Sequence, residues 1–185
     1  STEKWQPAVR TVPAYFDHPD YISALAQSVE TAYAKLETKP DHLVVSYHGM
    51  PERYLTEGDP YHCQCQKTSR LLKEKLGWED GEIITTFQSK FGPEEWLKPA
   101  TVDEVAEIAN RGIKNIAVIA PAFAADCIET LEEINEEIFE SFETAGGEKF
   151  TYIPCLNDET AHITALVNVI NAHGIFPTRN FQQGT

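Results

Sequence analysis

A histidine set between a β-branched run and a glycine is the residue of this chain best placed for chemistry. His48 follows Val44-Val45-Ser46-Tyr47 and precedes Gly49-Met50-Pro51. An imidazole titrates near neutrality, so it can take a proton or bind a metal ion; a loop histidine can also simply bond backbone. The second set is acidic. Glu129, Glu133 and Glu137 recur every four residues, so on a helix they stack along one face. Aligned carboxylates can conduct protons or hard divalent cations, or they can solvate a surface, as Glu132, Glu136, Glu140 and Glu143 are expected to do. Glu129 falls in the first turn, where a carboxylate also interacts well with the helix dipole. Trp96, after Gly92-Pro93-Glu94-Glu95, offers either a core aromatic or a wall for a planar ligand. Lys90 and Arg53 could each pair with a ligand carboxylate. His18, His42, His62, His162 and His173 have no comparable setting.

These residues need elements to hold them. Strands are expected at Val9–Ala14, His42–Tyr47, Glu82–Phe87, Asn115–Ala120 and Phe150–Ile153, because their runs are short, apolar and rich in β-branched residues. Helices are expected at about 18–36, 60–76, 101–111, 126–144 and 158–173. Asp17, Asp59, Thr101 and Asp158 suit positions near helix N-caps, and Pro19 and Pro60 suit first turns. Gly77 and Gly112 stand where helices should stop. In the helix from about Asp126, the apolar Ile128, Leu131, Ile134, Ile138 and Phe142 mark the face expected to pack on the sheet. The alternation gives an α/β fold: an open, mainly parallel sheet flanked by helices. Residues 1–174 read as a single domain and 175–185 as a polar tail.

In open parallel sheets ligands bind beyond the carboxyl ends of the strands. The segments there are Ser46–Pro51, Gln88–Pro93 with Trp96 and Leu97, Pro121–Phe123 with Asp126–Thr130, and Pro154–Asn157. One sheet edge thus gathers an imidazole, carboxylates, a lysine and aromatic rings, which suits a flat apolar ligand and a cation.

Composition narrows the classes. Fifteen Lys and Arg stand against 29 Asp and Glu, a net charge of −14, which repels nucleic acid and anionic lipid and attracts cations. At 42% hydrophobic and 24% charged residues, the chain is neither disordered nor membrane-spanning. No basic stretch followed by an apolar one marks a signal peptide in residues 1–20. Cys63, Cys65, Cys127 and Cys155 are too sparse for a disulfide scaffold and are expected to be reduced thiols without a metal. Phosphate-cradling glycine loops and a serine nucleophile elbow are missing from the sequence, which disfavours nucleotide chemistry and serine hydrolysis.

Three blocks resemble ferrochelatase, the family that inserts ferrous iron into porphyrin to make haem. Val45-Ser46-Tyr47-His48-Gly49-Met50-Pro51-Glu52-Arg53-Tyr54, followed by Gly58-Asp59-Pro60-Tyr61, is similar to its histidine motif. Gln88-Ser89-Lys90-Phe91-Gly92-Pro93 with Trp96, Leu97 and Pro99 is similar to its second block. Phe123-Ala124-Ala125-Asp126-Cys127-Ile128-Glu129-Thr130-Leu131-Glu132-Glu133 is similar to its third. The match runs from about Tyr15 to the last helix and lies in the family's carboxyl-terminal half.

The resemblance implies a three-layer αβα domain of chelatase type. It implies His48 and Glu129 as catalytic residues, and His48, Glu129, Glu133 and Glu137 as metal-handling ones. It implies Trp96 in the porphyrin cleft, with Tyr47, Ser89 and Lys90 as further substrate contacts. Protoporphyrin IX and Fe2+ are the implied substrates, and no cofactor is required. An iron–sulfur cluster is not expected, since no cysteine follows Cys155. The family's amino-terminal half, which closes the cleft, is the implied partner, with self-association as a further expectation and nucleic acid as none. The implied location is the cytoplasm, with the complete enzyme able to sit peripherally at the membrane. The alternatives are a cobalt or nickel chelatase of another tetrapyrrole, and a porphyrin- or metal-binding module without chemistry.

Overall fold

The computed structural model describes residue 9 and residues 11–174. Its elements run α1 (Pro19–Tyr33), β1 (His42–His48), α2 (Glu52–Thr56), α3 (Tyr61–Leu76), β2 (Ile83–Gln88), α4 (Thr101–Asn110), β3 (Asn115–Ile119), a π-helix (Glu129–Ile138), α5 (Phe139–Thr144), β4 (Lys149–Ile153) and α6 (Thr160–Ala172). The strands form one sheet in the order β2-β1-β3-β4, and every pairing is parallel. Both faces must then be covered by helices. Strand β1 shows how. Alternation along it sends Leu43, Val45 and Tyr47 into one core with Leu25, Val29 and Leu72. Val44 goes into the other with Ile116, Val118, Ile134, Ile138 and Phe142.

The order places a topological switch between β1 and β3. The chain leaves β1 toward β2 and returns past β1 to reach β3, so the segments after β1 and β3 part and leave a crevice. His48 ends β1 at that point, paired in register with Gln88 of β2.

Several expectations are corrected. The described residues of Val9–Ala14 form no strand; Pro13 lacks a ladder donor, and the sheet is complete without it. The tail at 175–185 lies outside the described residues. A short helix, α2, adds to the expected elements; it follows Pro51, which leaves its first orphan backbone donors to the adjacent segment, and Glu52 N–H donates to the Glu95 carbonyl at 2.9 Å. The cap of α1 is His18, whose Nδ1 accepts from Asp20 N–H at 3.3 Å, rather than Asp17. Ala100 and Glu159 hold the caps expected near Thr101 and Asp158. Asp59 does accept from Tyr61 N–H at 2.8 Å, and Gly77 ends α3 in the left-handed region at φ 68°.

The largest correction is the long acidic helix. It is a π-helix from Glu129 that becomes α-helical only at Phe139. The apolar stripe is split accordingly. Ile134, Ile138 and Phe142 are buried, whereas Ile128 and Leu131 are 63% and 51% exposed. A helix closed from residue i to i+5 turns more slowly per residue than an α-helix, and Thr130 is the buried residue of its first turn.

Candidate active site

Tyr61 holds the crevice from below. Its hydroxyl donates to the His48 carbonyl at 2.9 Å, fixing the end of β1. The His48 ring then lies with Nδ1 2.8 Å from the Gly49 carbonyl. A carbonyl only accepts, so Nδ1 donates to it and Nε2 is the nitrogen left to face the crevice. The ring of Phe123, from the segment after β3, sits 6.3 Å away. A half-buried imidazole presenting Nε2 at a switch point is a competent proton acceptor.

Gly49 must be glycine for packing reasons. A Cβ there would lie 2.5 Å from the Gln88 carbonyl and 3.1 Å from the Trp96 ring. The segments after β1 and β2 are also joined through backbone: Leu97 N–H donates to the Met50 carbonyl at 2.9 Å, and Pro51 bridges Trp96. Trp96 therefore stands directly behind the histidine loop. Its indole N–H is buried without a hydrogen-bond partner among the described residues. Its other side lines an open groove of about 440 Å³ with Lys90, Lys98, Asp103 and Glu107. Lys90 is exposed at that groove, whereas Arg53 is already paired with Glu94 at 2.9 Å.

Glu129 begins the π-helix. The Cys127 thiol donates to its carboxylate, and this bond, more than any other cause, holds the acid below the usual carboxylate range. The His48 imidazole, when protonated, acts in the same direction. Burial pushes the Cys127 thiol up, and the neighbouring carboxylate pushes it further. Glu129 is thus ionised and only partly covered.

Glu133, one step along the row, is in a different state. One carboxylate oxygen takes the Ser89 backbone N–H. The other takes the Ser89 hydroxyl at 2.5 Å and the Gln88 amide at 3.0 Å. Ser89 is held in the left-handed region, φ 64°, a conformation that a non-glycine residue keeps only under such ties. Gln88 also donates to the Glu129 carbonyl at 2.7 Å and accepts from buried Ser46 at 2.8 Å. Ser46 in turn contacts Thr101 at 2.9 Å. A buried polar thread therefore ties β1, β2 and α4 to the start of the π-helix. Glu133 is the clamp of this thread. Glu133→Gln replaces one acceptor oxygen by a donor that faces other donors. The expected loss is about 1–3 kcal/mol, measured by urea unfolding, with faster exchange of the Ser89 amide. Unchanged stability and exchange would contradict the clamp.

Glu137 completes the row. It is exposed and lies with Glu140 and Asn110 along an open groove between α4 and α5. Glu129, Glu133 and Glu137 thus share one helix face with three roles: a crevice acid, a clamped acid and a surface acid. Residues four apart stay nearly in line, since a π-turn takes more than four residues. Tyr47 is not brought to the crevice. Strand alternation turns it the opposite way from His48; it is 2% exposed and shares a 3.0 Å hydrogen bond with Ser69. Cys63 and Cys65 sit on α3, remote in sequence from the row, and all four cysteines are free thiols.

Sequence reading left out Gln88 and Asp126 as organising residues. The available signal for Gln88 was its position closing β2, next to His48 across the ladder. Among the described residues, no three His, Cys, Asp or Glu side chains converge as a preformed metal cage, and no helix is long and apolar enough to cross a membrane.

The chain is similar in fold to SirB from Bacillus subtilis, solved with Fe3+, with a TM-score of 0.53 at 15% identity over 83% of this chain and 57% of that one. It is 69% identical over 167 residues to a ferrochelatase of Rhodobacter capsulatus, covering 90% of this chain and 48% of the relative. It is 54% identical over 167 residues to a ferrochelatase of Rhizobium meliloti, covering 90% of this chain and 49% of that relative. The chain spans about half the length of these curated relatives. The family model for ferrochelatase matches residues 1–174, and the chain therefore belongs to the ferrochelatase family.

Proposed function

We propose that this chain supplies one wall of a cleft in which Fe2+ is inserted into protoporphyrin IX, with the rest of the protein supplying the other. The observation that carries this is the placement at the switch point of the His48 ring, tied through Nδ1 so that Nε2 is left over, and of the ionised Glu129 carboxylate that His48 influences. The porphyrin must lose two pyrrole protons as the divalent ion enters. His48 accepts a proton on one side of the ring. Glu129 draws the cation on the other and receives the second proton as the ion enters. A cleft that bends the macrocycle exposes its nitrogen lone pairs, which is strain of a recognised kind. The reaction changes no oxidation state, so no redox or organic cofactor is part of this reading. Lys90 is the exposed cation suited to a porphyrin carboxylate, and Trp96 backs the ring. The same reading places the protein in the cytoplasm, with its hydrophobic product passed at a membrane surface.

The row is graded in this account. Glu129 faces the reacting atoms, Glu133 is committed to the clamp, and Glu137 stands at the surface. Glu129→Gln is expected to lower kcat for insertion roughly 10²-fold or more, in line with loss of a positioned charge or proton carrier. Glu137→Gln, which removes a surface charge remote from the reacting atoms, is expected to lower it less than ~10-fold. Steady-state insertion by the complete protein checks this, and equal losses would contradict a graded row. A cobalt chelatase would instead turn over Co2+ with another tetrapyrrole faster than Fe2+ with protoporphyrin, in the same assay.

A further inference from the structure

The first turn of the π-helix is not held by apolar burial. Ile128 and Leu131 flank Glu129 and are mostly exposed. Thr130 is the buried residue of the turn, and its surroundings are polar: its hydroxyl accepts from Cys127 N–H at 3.0 Å and lies 3.2 Å from Asp126 Oδ1 and 3.1 Å from the Cys127 carbonyl. Asp126 is where these bonds converge. The Tyr152 hydroxyl donates to its Oδ1 at 2.5 Å, and Cys155 N–H does so at 3.2 Å. Asn157 makes a reciprocal pair with it: the amide donates to Oδ2 at 2.7 Å, and Asp126 N–H donates back to Asn157 Oδ1 at 2.9 Å.

Asn157 is itself tied down. It lies in the left-handed region, φ 46°, its N–H donates to the Ala124 carbonyl at 3.0 Å, and its carbonyl takes the Nδ1 proton of buried His162 at 2.7 Å. The hub thus fastens the segment after β4 to the turn that carries Glu129.

The structure assigns Asp126 the part of a positioning residue: its carboxylate, bonded to Tyr152, Cys155, Thr130 and Asn157, fixes the first turn of the π-helix and so sets where Glu129 stands relative to His48. This rests on the proposed pairing of those two side chains. An asparagine cannot replace the aspartate, because its amide donors would face the Asn157 amide or the Tyr152 and Cys155 donors. Burial works against the charge of Asp126, but the bonds from Asn157 and Tyr152 outweigh it and keep the carboxyl below its ordinary range.

The test uses this chain with 13C-labelled histidine rings, by NMR at one fixed pH. His162 bonds the hub at the Asn157 carbonyl and His48 ends β1 outside it, so their ring cross-peaks report separately. Glu129→Gln is expected to shift the His48 peak. Asp126→Asn is expected to shift it in the same direction by at least half as much, and also to shift His162. In the Glu129→Gln background, Asp126→Asn should move His162 but leave His48 where Glu129→Gln put it. Tyr152→Phe removes one bond, keeps the carboxylate, and should give a smaller shift with the same dependence on Glu129; it serves where Asp126→Asn fails to fold. A His162 shift with an unmoved His48 peak would make the hub merely structural and overturn the proposal. So would a His48 shift that persists without Glu129. An unmoved His48 peak in Glu129→Gln alone would overturn the pairing itself, before Asp126 is touched.

Discussion

Replacing His48 by alanine is expected to remove nearly all iron insertion while leaving the far-UV circular dichroism of the chain unchanged. The two halves of that expectation have separate causes. The backbone at residue 48 is held by Tyr61 through the carbonyl and by its register with Gln88, and alanine keeps both. The side chain is half-buried, and its polar tie is to the adjacent Gly49 carbonyl. Little packing is therefore lost. What disappears is Nε2, the ring nitrogen left to face the crevice. A positioned general base is worth roughly 10²–10⁴-fold in rate, and here the same group also marks one face of the porphyrin. Insertion followed by the Soret band, beside a far-UV spectrum of the same sample, checks the expectation. Turnover within ~10-fold of the parent, well short of what a general base contributes, would end the catalytic role of His48.

The largest expected effect on stability lies in α5, which continues the Glu-bearing π-helix. Phe142 is 1% exposed and packs beside Phe150 with ring centroids 6.1 Å apart. The ring also explains Gly147: a Cβ there would collide with it. Phe142→Ala empties a site bounded by sheet, α4 and this glycine turn, so it should cost about 3–5 kcal/mol. Domains of this size hold only about 5–15 kcal/mol in total. The consequence reaches the crevice, because Phe142, Ile138 and Ile134 are what seat the Glu-bearing helix on the sheet. Urea unfolding should show a much lower midpoint with little change in slope. A loss below about 1 kcal/mol, far under the usual range for emptying such a site, would mean that the helix is seated by something else.

Much of the fold was legible because parallel strands are buried on both faces and read as short β-branched runs. Val44-Val45, Ile83-Ile84 and Ile116–Ile119 gave strands within a residue or two of their ends. The failed strand, Val9–Ala14, had the same apolar look but carries a proline, which lacks a ladder donor. The acidic row was legible as a face, since a spacing of four suits α- and π-turns alike. The π geometry was not, because nothing in a single sequence separates the two hydrogen-bond ladders. For the same reason the exposure of Ile128 and Leu131 was missed.

At the site, His48 and Glu129 were singled out through residue type and place. Tyr47 was misassigned because a motif read as a string ignores strand alternation, which sends neighbours to opposite faces. The division of labour along the Glu row, and the hubs at Gln88 and Asp126, depend on hydrogen bonds between segments distant in the chain, such as Gln88 with Glu133 and Asp126 with Tyr152. Such pairings leave no local signal.

The central claim is that this chain carries the reacting half of a porphyrin-metallating cleft. The most direct measurement is anaerobic insertion of Fe2+ into protoporphyrin IX by this chain combined with the complementary half of the protein. The account expects the porphyrin fluorescence to fall and the haem Soret band to grow with many turnovers per chain. Tight porphyrin binding with no metallation, by a complex shown to be assembled, would contradict it and leave a binding module instead.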